Sequence, residues 1–333
     1  MVTLCHKFPS RYLLLRNYSL RNRKMMRYIL LYAILSLILT TQTYRFLHFK
    51  NIDYSTVSER EYTLSKFNNP KSDLKAGSVP DYDTLRPLQY WILKNAQKII
   101  SVEVTVLDPV LRFVVLFLLF VSFHQYLASV KSFPLIGNLL LFPMFTLLFS
   151  EGYTIFNTKD LMQGLFVTIG LLVLEKEFKA KYVSYCALVF LAAFNKETAI
   201  FLVLLYFSKE KKFLKTGLMF LGWWIIVFVI TRPVSAGQIP VGLFSLTGYG
   251  FRLVYIPIVL MFVIPFLINL KLKLNYLSVT IVSAVVYTIL FPTPWETKNW
   301  VYIYILTLAF VLEHFSEQDN FIDGLSCRQF PAR

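Results

Sequence analysis

The chain has 333 residues, of which 56% are hydrophobic, 17% are aromatic and 16% are charged. Soluble domains carry about a quarter charged residues, so this composition argues against a soluble globular protein. A nucleic-acid-binding function is excluded despite the net charge of +15, because the lysines and arginines stand in short clusters beside apolar runs. Such clusters are typical of a membrane protein whose basic residues contact lipid headgroups.

Ten apolar stretches separated by polar turns predict an all-α fold, a polytopic transmembrane helical bundle. Residues 1–25 are predicted to form a basic cytoplasmic extension, residues 26–313 the transmembrane domain, and residues 314–333 a cytoplasmic tail. The predicted spans are 27–46, 109–130, 133–150, 161–174, 182–194, 198–207, 216–231, 253–270, 276–291 and 300–312.

The distribution of basic residues predicts the orientation of these spans. With both termini in the cytoplasm, the cytoplasmic segments hold 19 of the 34 lysines and arginines. Ten of the others lie between residues 45 and 112, mostly in a long translocated loop, and such loops are largely exempt from the positive-inside rule. We therefore expect cell-membrane localisation, with the N-terminus and the C-terminus cytoplasmic.

The first outer loop, residues 47–108, contains an amphipathic stretch at residues 86–100. At 100° per residue its apolar residues fall on one side, and its lysines fall on the other. This pattern predicts a helix that lies in the membrane interface; a helix packed on a core of the loop itself is the alternative. The apolar side holds Leu88, Ile92, Leu93, Ala96, Ile99 and Ile100, and the opposite side holds Tyr90, Trp91, Lys94, Gln97 and Lys98.

Lys196 and Glu197 interrupt what would otherwise be one apolar run from residue 182 to residue 207. Charges at membrane depth are costly and usually line a functional cavity. We therefore expect both side chains to face a polar cavity near the outer surface. The alternative is a hairpin tip that is polar because it reaches water.

Other isolated charges stand at the predicted outer ends of spans. Glu296 and Lys298 form a second polar turn, flanked by Trp295 and Trp300, which suit an aromatic belt at the interface. Asp53 follows the first span closely, so among the acidic residues of the first loop it stays nearest the membrane. The remaining charges of this outer group are Arg86, Asp108, Arg112, Glu151, Asp160, Arg232 and Arg252.

Several established motifs are absent from the sequence. It contains no phosphate-binding glycine loop, no nucleophile elbow and no His-Glu-x-x-His helix. The three cysteines, Cys5, Cys186 and Cys327, have neither disulfide nor metal-site spacing.

The arrangement of the predicted spans, the first outer loop and the charged turns resembles the GT-C superfamily of polytopic membrane glycosyltransferases. The similar features are an acidic residue early in the first outer loop, Asp53, and an interfacial helix introduced by the sequence YDTLRPL at residues 82–88. The sequence AFNKETA at residues 193–199 is similar to the Arg/Lys-Glu-Thr-Ala turn of many bacterial members. Glu296-Thr-Lys298 is similar to a Glu-x-Arg turn near the C-terminus of some relatives.

This resemblance implies an enzyme that moves a sugar from a polyprenyl-phosphate-linked donor to an acceptor on the extracytoplasmic face. Asp53 would be the catalytic base. Residues that bind the donor phosphate or the substrate would be Arg86, Lys196, Glu197, Arg232, Arg252, Glu296 and Lys298. No metal ligands are identified, and a divalent cation stays open as a cofactor. The partners would be membrane lipids and the lipid-linked donor. The alternatives are a polysaccharide polymerase, a lipid-linked glycan transporter and a non-catalytic membrane relative.

Overall fold

The computed structural model describes residues 26–42, 88–102, 104–150, 158–230, 276–290 and 301–328. These ranges are almost entirely α-helical and contain no strand, so the fold is all-α as predicted. The helices are α1 (Met26–Gln42), α2 (Leu88–Ile100), α3 (Val104–Ser129), α4 (Pro134–Ser150), α5 (Thr158–Glu175), α6 (Lys181–Asn195), α7 (Ile200–Glu210), α8 (Phe213–Trp224), α9 (Tyr276–Leu290) and α10 (Val301–Arg328). A π-helical segment, Ile225–Ile230, continues α8, and the predicted span 253–270 lies outside the described residues.

Helix α5 is the centre of the bundle. It packs against α3, α6, α7 and α10, and most of its side chains are buried along its whole length. Gly164 brings α3 and α10 close to it, since a Cβ at this position would lie 2.9 Å from Ile305 Cδ1 and 3.2 Å from Leu119 Cδ1. Midway along the helix, the hydroxyls of Ser122 and Thr168 are hydrogen-bonded at 2.6 Å.

Helix α3 begins five residues before the predicted start at Pro109. Contacts with α2 account for the earlier start. Leu93 of α2 packs on Leu107, and Gln89 donates a hydrogen bond to Asp108 at 3.0 Å. These contacts organise the turn that precedes Pro109, whose missing N–H removes only one bond near the helix N-terminus.

Helix α10 extends to Arg328, well beyond the predicted end of the span at residue 312. Two contacts stabilise the first added turn. Tyr126 of α3 donates a hydrogen bond to Glu313, and Ser316 donates one to the carbonyl of Lys131 at 3.1 Å. The sequence becomes less hydrophobic at this point. The helix nevertheless continues, because these two hydrogen bonds satisfy polar side chains of the added turn.

The outward faces of the helices are apolar. Leu30 in α1 is 63% exposed and Leu214 in α8 is 79% exposed, whereas Arg112, Asp160 and Lys196 are each at most 3% exposed. By length and hydropathy, one helix of the described part, Val106–Ser129, could span a membrane. Shorter apolar helices are Met26–Gln42, Pro134–Thr146, Lys181–Asn195, Phe213–Val227 and Val301–Ser316.

The bundle has two polar ends. The upper end consists of the first turns of α3 and α5 and the last turn of α6. The lower end consists of the last turns of α3, α5 and α7 and the first turn of α9. At the lower end, Tyr276 donates a hydrogen bond to Glu175 at 2.9 Å, and Lys209 pairs with the same carboxylate at 2.7 Å.

A second ion pair at the lower end joins Lys181 Nζ to Glu210 Oε1 at 2.8 Å, and Lys212 also bonds Glu210 at 2.8 Å. Burial alone would raise the pKa of the Glu210 carboxyl. The hydrogen bonds from Lys181 and Lys212 outweigh burial, and this pKa lies below its ordinary value. The turn before α6 and the turn after α7 are therefore held together by ionised groups.

Two glycines of α8 provide a matched test of the helix packing. A Cβ at Gly222 would lie 2.4 Å from the ring of Phe190 in α6, whereas a Cβ at Gly217 would meet no atom within 4 Å. We expect Gly222→Ala to destabilise the fold by about 1 kcal/mol, because overpacking exceeds the gain in helix propensity. Gly217→Ala should stabilise it by up to about 1 kcal/mol. Thermal unfolding of the detergent-solubilised variants measures both, and the reverse order of melting temperatures would contradict this packing.

Candidate functional site

The upper end of the bundle holds a buried cluster of charged and polar side chains, which we call the upper cluster. Its members come from four helices and the turn after α6. They are Gln89, Asp108, Arg112, Thr158, Lys159, Asp160, Gln163, Asn195, Lys196 and Thr198. All are buried except Asp108, which is half-buried.

Local chain geometry sets the position of Lys196. Helix α6 ends at Asn195, Lys196 adopts extended backbone angles, and a 3-10 turn, Glu197–Ala199, follows. The Lys196 N–H still bonds the Ala192 carbonyl at 2.8 Å, and its carbonyl accepts from Ala199 at 3.1 Å. One extended residue between two helical segments therefore projects its side chain sideways, toward the first turn of α5.

Lys196 Nζ lies 2.5 Å from Asp160 Oδ1, and the two side chains are 3% and 4% exposed. Both residues also suit the helix ends that carry them. Asp160 is in the first turn of α5, where the helix dipole favours an anion, and Lys196 follows the last turn of α6, where it favours a cation. The antiparallel packing of α5 and α6 brings the two ends together.

Hydrogen bonds among the residues next to this pair extend toward α3. Asn195 donates to the carbonyl of Lys159 at 2.7 Å and approaches Gln163 Oε1 at 3.4 Å. Arg112 Nε donates to Thr158 Oγ1 at 3.3 Å, and Thr158 donates in turn to Asp108 Oδ1 at 3.3 Å. Arg112 is fully buried, so its charge depends on this polar surrounding.

Helix α2 is hydrogen-bonded to the upper cluster through the side chain of one residue, Gln89. Gln89 donates to Asp108 and accepts from the backbone N–H of Lys159 at 3.2 Å, so it bridges α2, α3 and α5. Leu88 and Leu93 are buried beside it, as the amphipathic pattern predicts. Ile99 and Ile100 differ from that pattern, because they are 83% and 58% exposed at the far end of the helix.

Buried polar atoms of the upper cluster without a hydrogen-bond partner among the described residues include Asp160 Oδ2, Asn195 Oδ1 and Thr198 Oγ1. Asp160 Oδ2 and Asn195 Oδ1 are acceptors. All three atoms belong to residues close to Lys196, since Asp160 pairs with it and Asn195 and Thr198 lie within two residues of it along the chain. Buried polar atoms are nearly always paired in folded proteins, so such a group indicates a place where a ligand or ordered water supplies donors.

The structure describes only part of the predicted site. Lys196 is buried in the ion pair with Asp160, and both the polar cavity expected beside it and its contact with a substrate stay predictions. Glu197 lies in the 3-10 turn, but its side chain is outside the described part. The other predicted site residues lie outside the described part of the chain; they are Asp53, Arg86, Arg232, Arg252, Glu296 and Lys298. Within the described residues, no group of three His, Cys, Asp or Glu side chains could hold a metal ion.

Sequence reasoning placed Asp108, Arg112 and Asp160 at outer span ends without pairing them, and it missed Gln89 and Asn195. One available signal was Gln89, which falls at 100° per residue in the middle of the apolar face of α2. A second was the run Thr158-Lys159-Asp160 before an apolar stretch, which is typical of a helix start with an acid in its first turn.

The Lys196–Asp160 pair permits a double-mutant test. Removing one partner of a buried ion pair leaves an uncompensated charge, so Lys196→Met should destabilise the fold by about 3–5 kcal/mol. Lys196→Met/Asp160→Leu removes both charges at similar volume and should recover most of that loss. Thermal unfolding in detergent measures the coupling; additive effects of the Lys196→Met and Asp160→Leu single changes would show that the pair is not formed.

Comparison with protein-family models, curated proteins and solved structures finds no match to this chain. The resemblance to the GT-C superfamily therefore depends on the short motifs of the sequence analysis alone.

Proposed function

We propose that this chain is an integral membrane glycosyltransferase of about ten spans that moves a sugar from a lipid-phosphate-linked donor to an acceptor on the extracytoplasmic face. The observation that carries the proposal is the buried Lys196–Asp160 pair at one end of the bundle, where Asp160 Oδ2, Asn195 Oδ1 and Thr198 Oγ1 have no described hydrogen-bond partner.

The inverted distribution of polarity supports the membrane location. In α1, Leu30, Ile34 and Leu37 are exposed, whereas Ser36 and Thr40 are buried. In water each exposed apolar face would cost about 25 cal/mol per Å², and monomeric soluble proteins rarely expose such continuous patches. A hydrocarbon environment removes this cost and favours polar side chains that lie inside the bundle, away from lipid.

The ends of the bundle support the proposed orientation. The turns at the lower end carry Lys176, Lys179, Lys211 and Lys212 in short connections, as the positive-inside rule requires of a cytoplasmic face. The upper end carries the buried cluster and is covered by α2, which we place at the outer interface. Its exposed Trp91, Ile99 and Ile100 would then contact lipid.

The upper cluster has the chemistry that a lipid-phosphate sugar needs. Among the described residues it contains three cations, Arg112, Lys159 and Lys196, and two carboxylates, Asp108 and Asp160. The excess positive charge suits a phosphate at headgroup depth, and a cation near the departing phosphate would stabilise the charge that develops there. The transfer itself needs a carboxylate base at the acceptor hydroxyl, which we assign to Asp53.

The unpartnered acceptors favour a sugar over a simple lipid as the bound group. Asp160 Oδ2 and Asn195 Oδ1 both require donors, and sugar hydroxyls are donors at high density. Thr198 Oγ1 can donate or accept. A transporter would instead place its helix breaks near the middle of the bundle, whereas the break between α6 and α7 lies at the upper end.

Exposed lysines at opposite ends test the orientation. In a variant whose three cysteines are replaced by serine, we expect Lys98→Cys to react with an impermeant maleimide on intact cells. Lys179→Cys should react only after lysis, because its turn would be cytoplasmic. Both positions are exposed, so accessibility within the fold does not separate them. Equal labelling of the two before lysis would contradict the orientation, and extraction of the chain by alkaline carbonate would contradict membrane insertion.

Activity tests the transferase assignment. The purified protein is incubated with polyprenyl-phosphate hexoses and a membrane extract that supplies acceptor hydroxyls, and release of polyprenyl phosphate with transfer of the hexose is measured. Lys196→Met/Asp160→Leu should lower the rate about 10²-fold or more, because it removes a preorganised cation from the donor phosphate.

The matched control is Lys181→Met/Glu210→Leu, which removes a similar ion pair at the lower end and should keep the wild-type rate. Equal losses in both double variants would reduce the effect to stability. A folded wild-type protein that is inactive with every hexose donor would contradict the transferase and favour the non-catalytic alternative.

A further inference from the structure

Two turns at the lower end form one continuous surface. Lys176–Ala180 connects α5 to α6, and Lys211–Lys212 connects α7 to α8. The Lys181–Glu210 ion pair and the Tyr182 hydroxyl, which donates to the Lys215 carbonyl at 3.1 Å, hold the turns side by side. We define the basic edge as the exposed lysines of these turns and of the first turn of α8, namely Lys176, Lys179, Lys211, Lys212 and Lys215.

The basic edge has a local excess of positive charge. The carboxylates of the two turns, Glu177 and Glu210, both pair with Lys181, and Lys212 shares Glu210. Lys176, Lys179 and Lys211 make no ion pair with a described carboxylate. Lys215 Nζ lies 5.0 Å from the centre of the Tyr182 ring, and the residue is exposed.

An exposed apolar track on α8 begins at these lysines. Leu214, Leu218, Leu221 and Ile225 are spaced as one helix face, and their exposed fractions are 79%, 56%, 50% and 39%. At 1.5 Å per residue this track is about 16 Å long, close to half of a hydrocarbon core of about 30 Å. The track therefore matches the acyl chain of a lipid in one leaflet.

We propose that the basic edge and the α8 track bind an anionic phospholipid of the cytoplasmic leaflet, with its phosphate at Lys211 and Lys215 and an acyl chain along Leu214 to Ile225. Cations at the end of an apolar track match a headgroup joined to its chain, and neither an acidic peptide nor a nucleic acid would cover the track. This inference rests on the membrane location in the proposed function and is independent of sugar transfer.

Native mass spectrometry of the detergent-solubilised chain with added phosphatidylglycerol or phosphatidylcholine, of equal acyl chains, tests this site. We expect preferential retention of phosphatidylglycerol by the wild type. Lys211→Gln/Lys215→Gln should weaken that retention about fivefold for each lysine removed. Lys94→Gln/Lys98→Gln, which removes two exposed lysines from α2 at the other end, is the matched control and should retain phosphatidylglycerol as the wild type does.

Two further measurements separate the parts of the proposal. Leu214→Gln/Leu218→Gln should weaken retention of both lipids, since it disrupts the acyl-chain track. Equal retention of the two lipids by the wild type, or equal losses in the two lysine double variants, would overturn the lipid site. Displacement by soluble glycerol phosphate at equal concentration would overturn the acyl-chain contact. If these failures occur in a chain that resists carbonate extraction, the membrane location still stands.

Discussion

The pairing of buried charge at helix ends is the constraint on which the described structure depends. Helix α5 is buried along its length, so its polar residues must find partners inside the protein. Asp160 meets Lys196 at one end, and Glu175 meets Lys209 and Tyr276 at the other. Since each contact joins a different neighbour, these few polar groups set how α5, α6, α7 and α9 are placed around one axis.

The same constraint explains why part of the fold could be predicted. Apolar runs and the polar residues between them mark helix ends directly, and α4, α6 and α9 begin or end within one residue of the predicted spans. The break at Lys196 was predictable because a lysine and a glutamate interrupt the apolar run from residue 182 to residue 207. The two clear differences, the start of α3 and the end of α10, arise from contacts with Gln89, Tyr126 and Lys131.

The partners within the upper cluster could not be predicted from one sequence. Asp160 and Lys196 are 36 residues apart, and their contact depends on the rotation of α5 and α6 about their axes. A change of one residue in either helix turns a side chain by 100°, enough to separate the pair. The sequence therefore showed that charged residues stand at helix ends. Which of Asp108, Asp160 and the loop carboxylates pairs with Lys196 could be determined only from the structure.

The length of α10 has a mechanical consequence. Its 28 residues extend roughly 42 Å at 1.5 Å per residue, which exceeds a hydrocarbon core of about 30 Å. A helix that is continuous from Val301 to Arg328 connects the polar surroundings of the upper end to the region beyond the lower end without a joint. A tilt of its first turn, beside α5, would therefore displace its C-terminal end more than any other part of the helix.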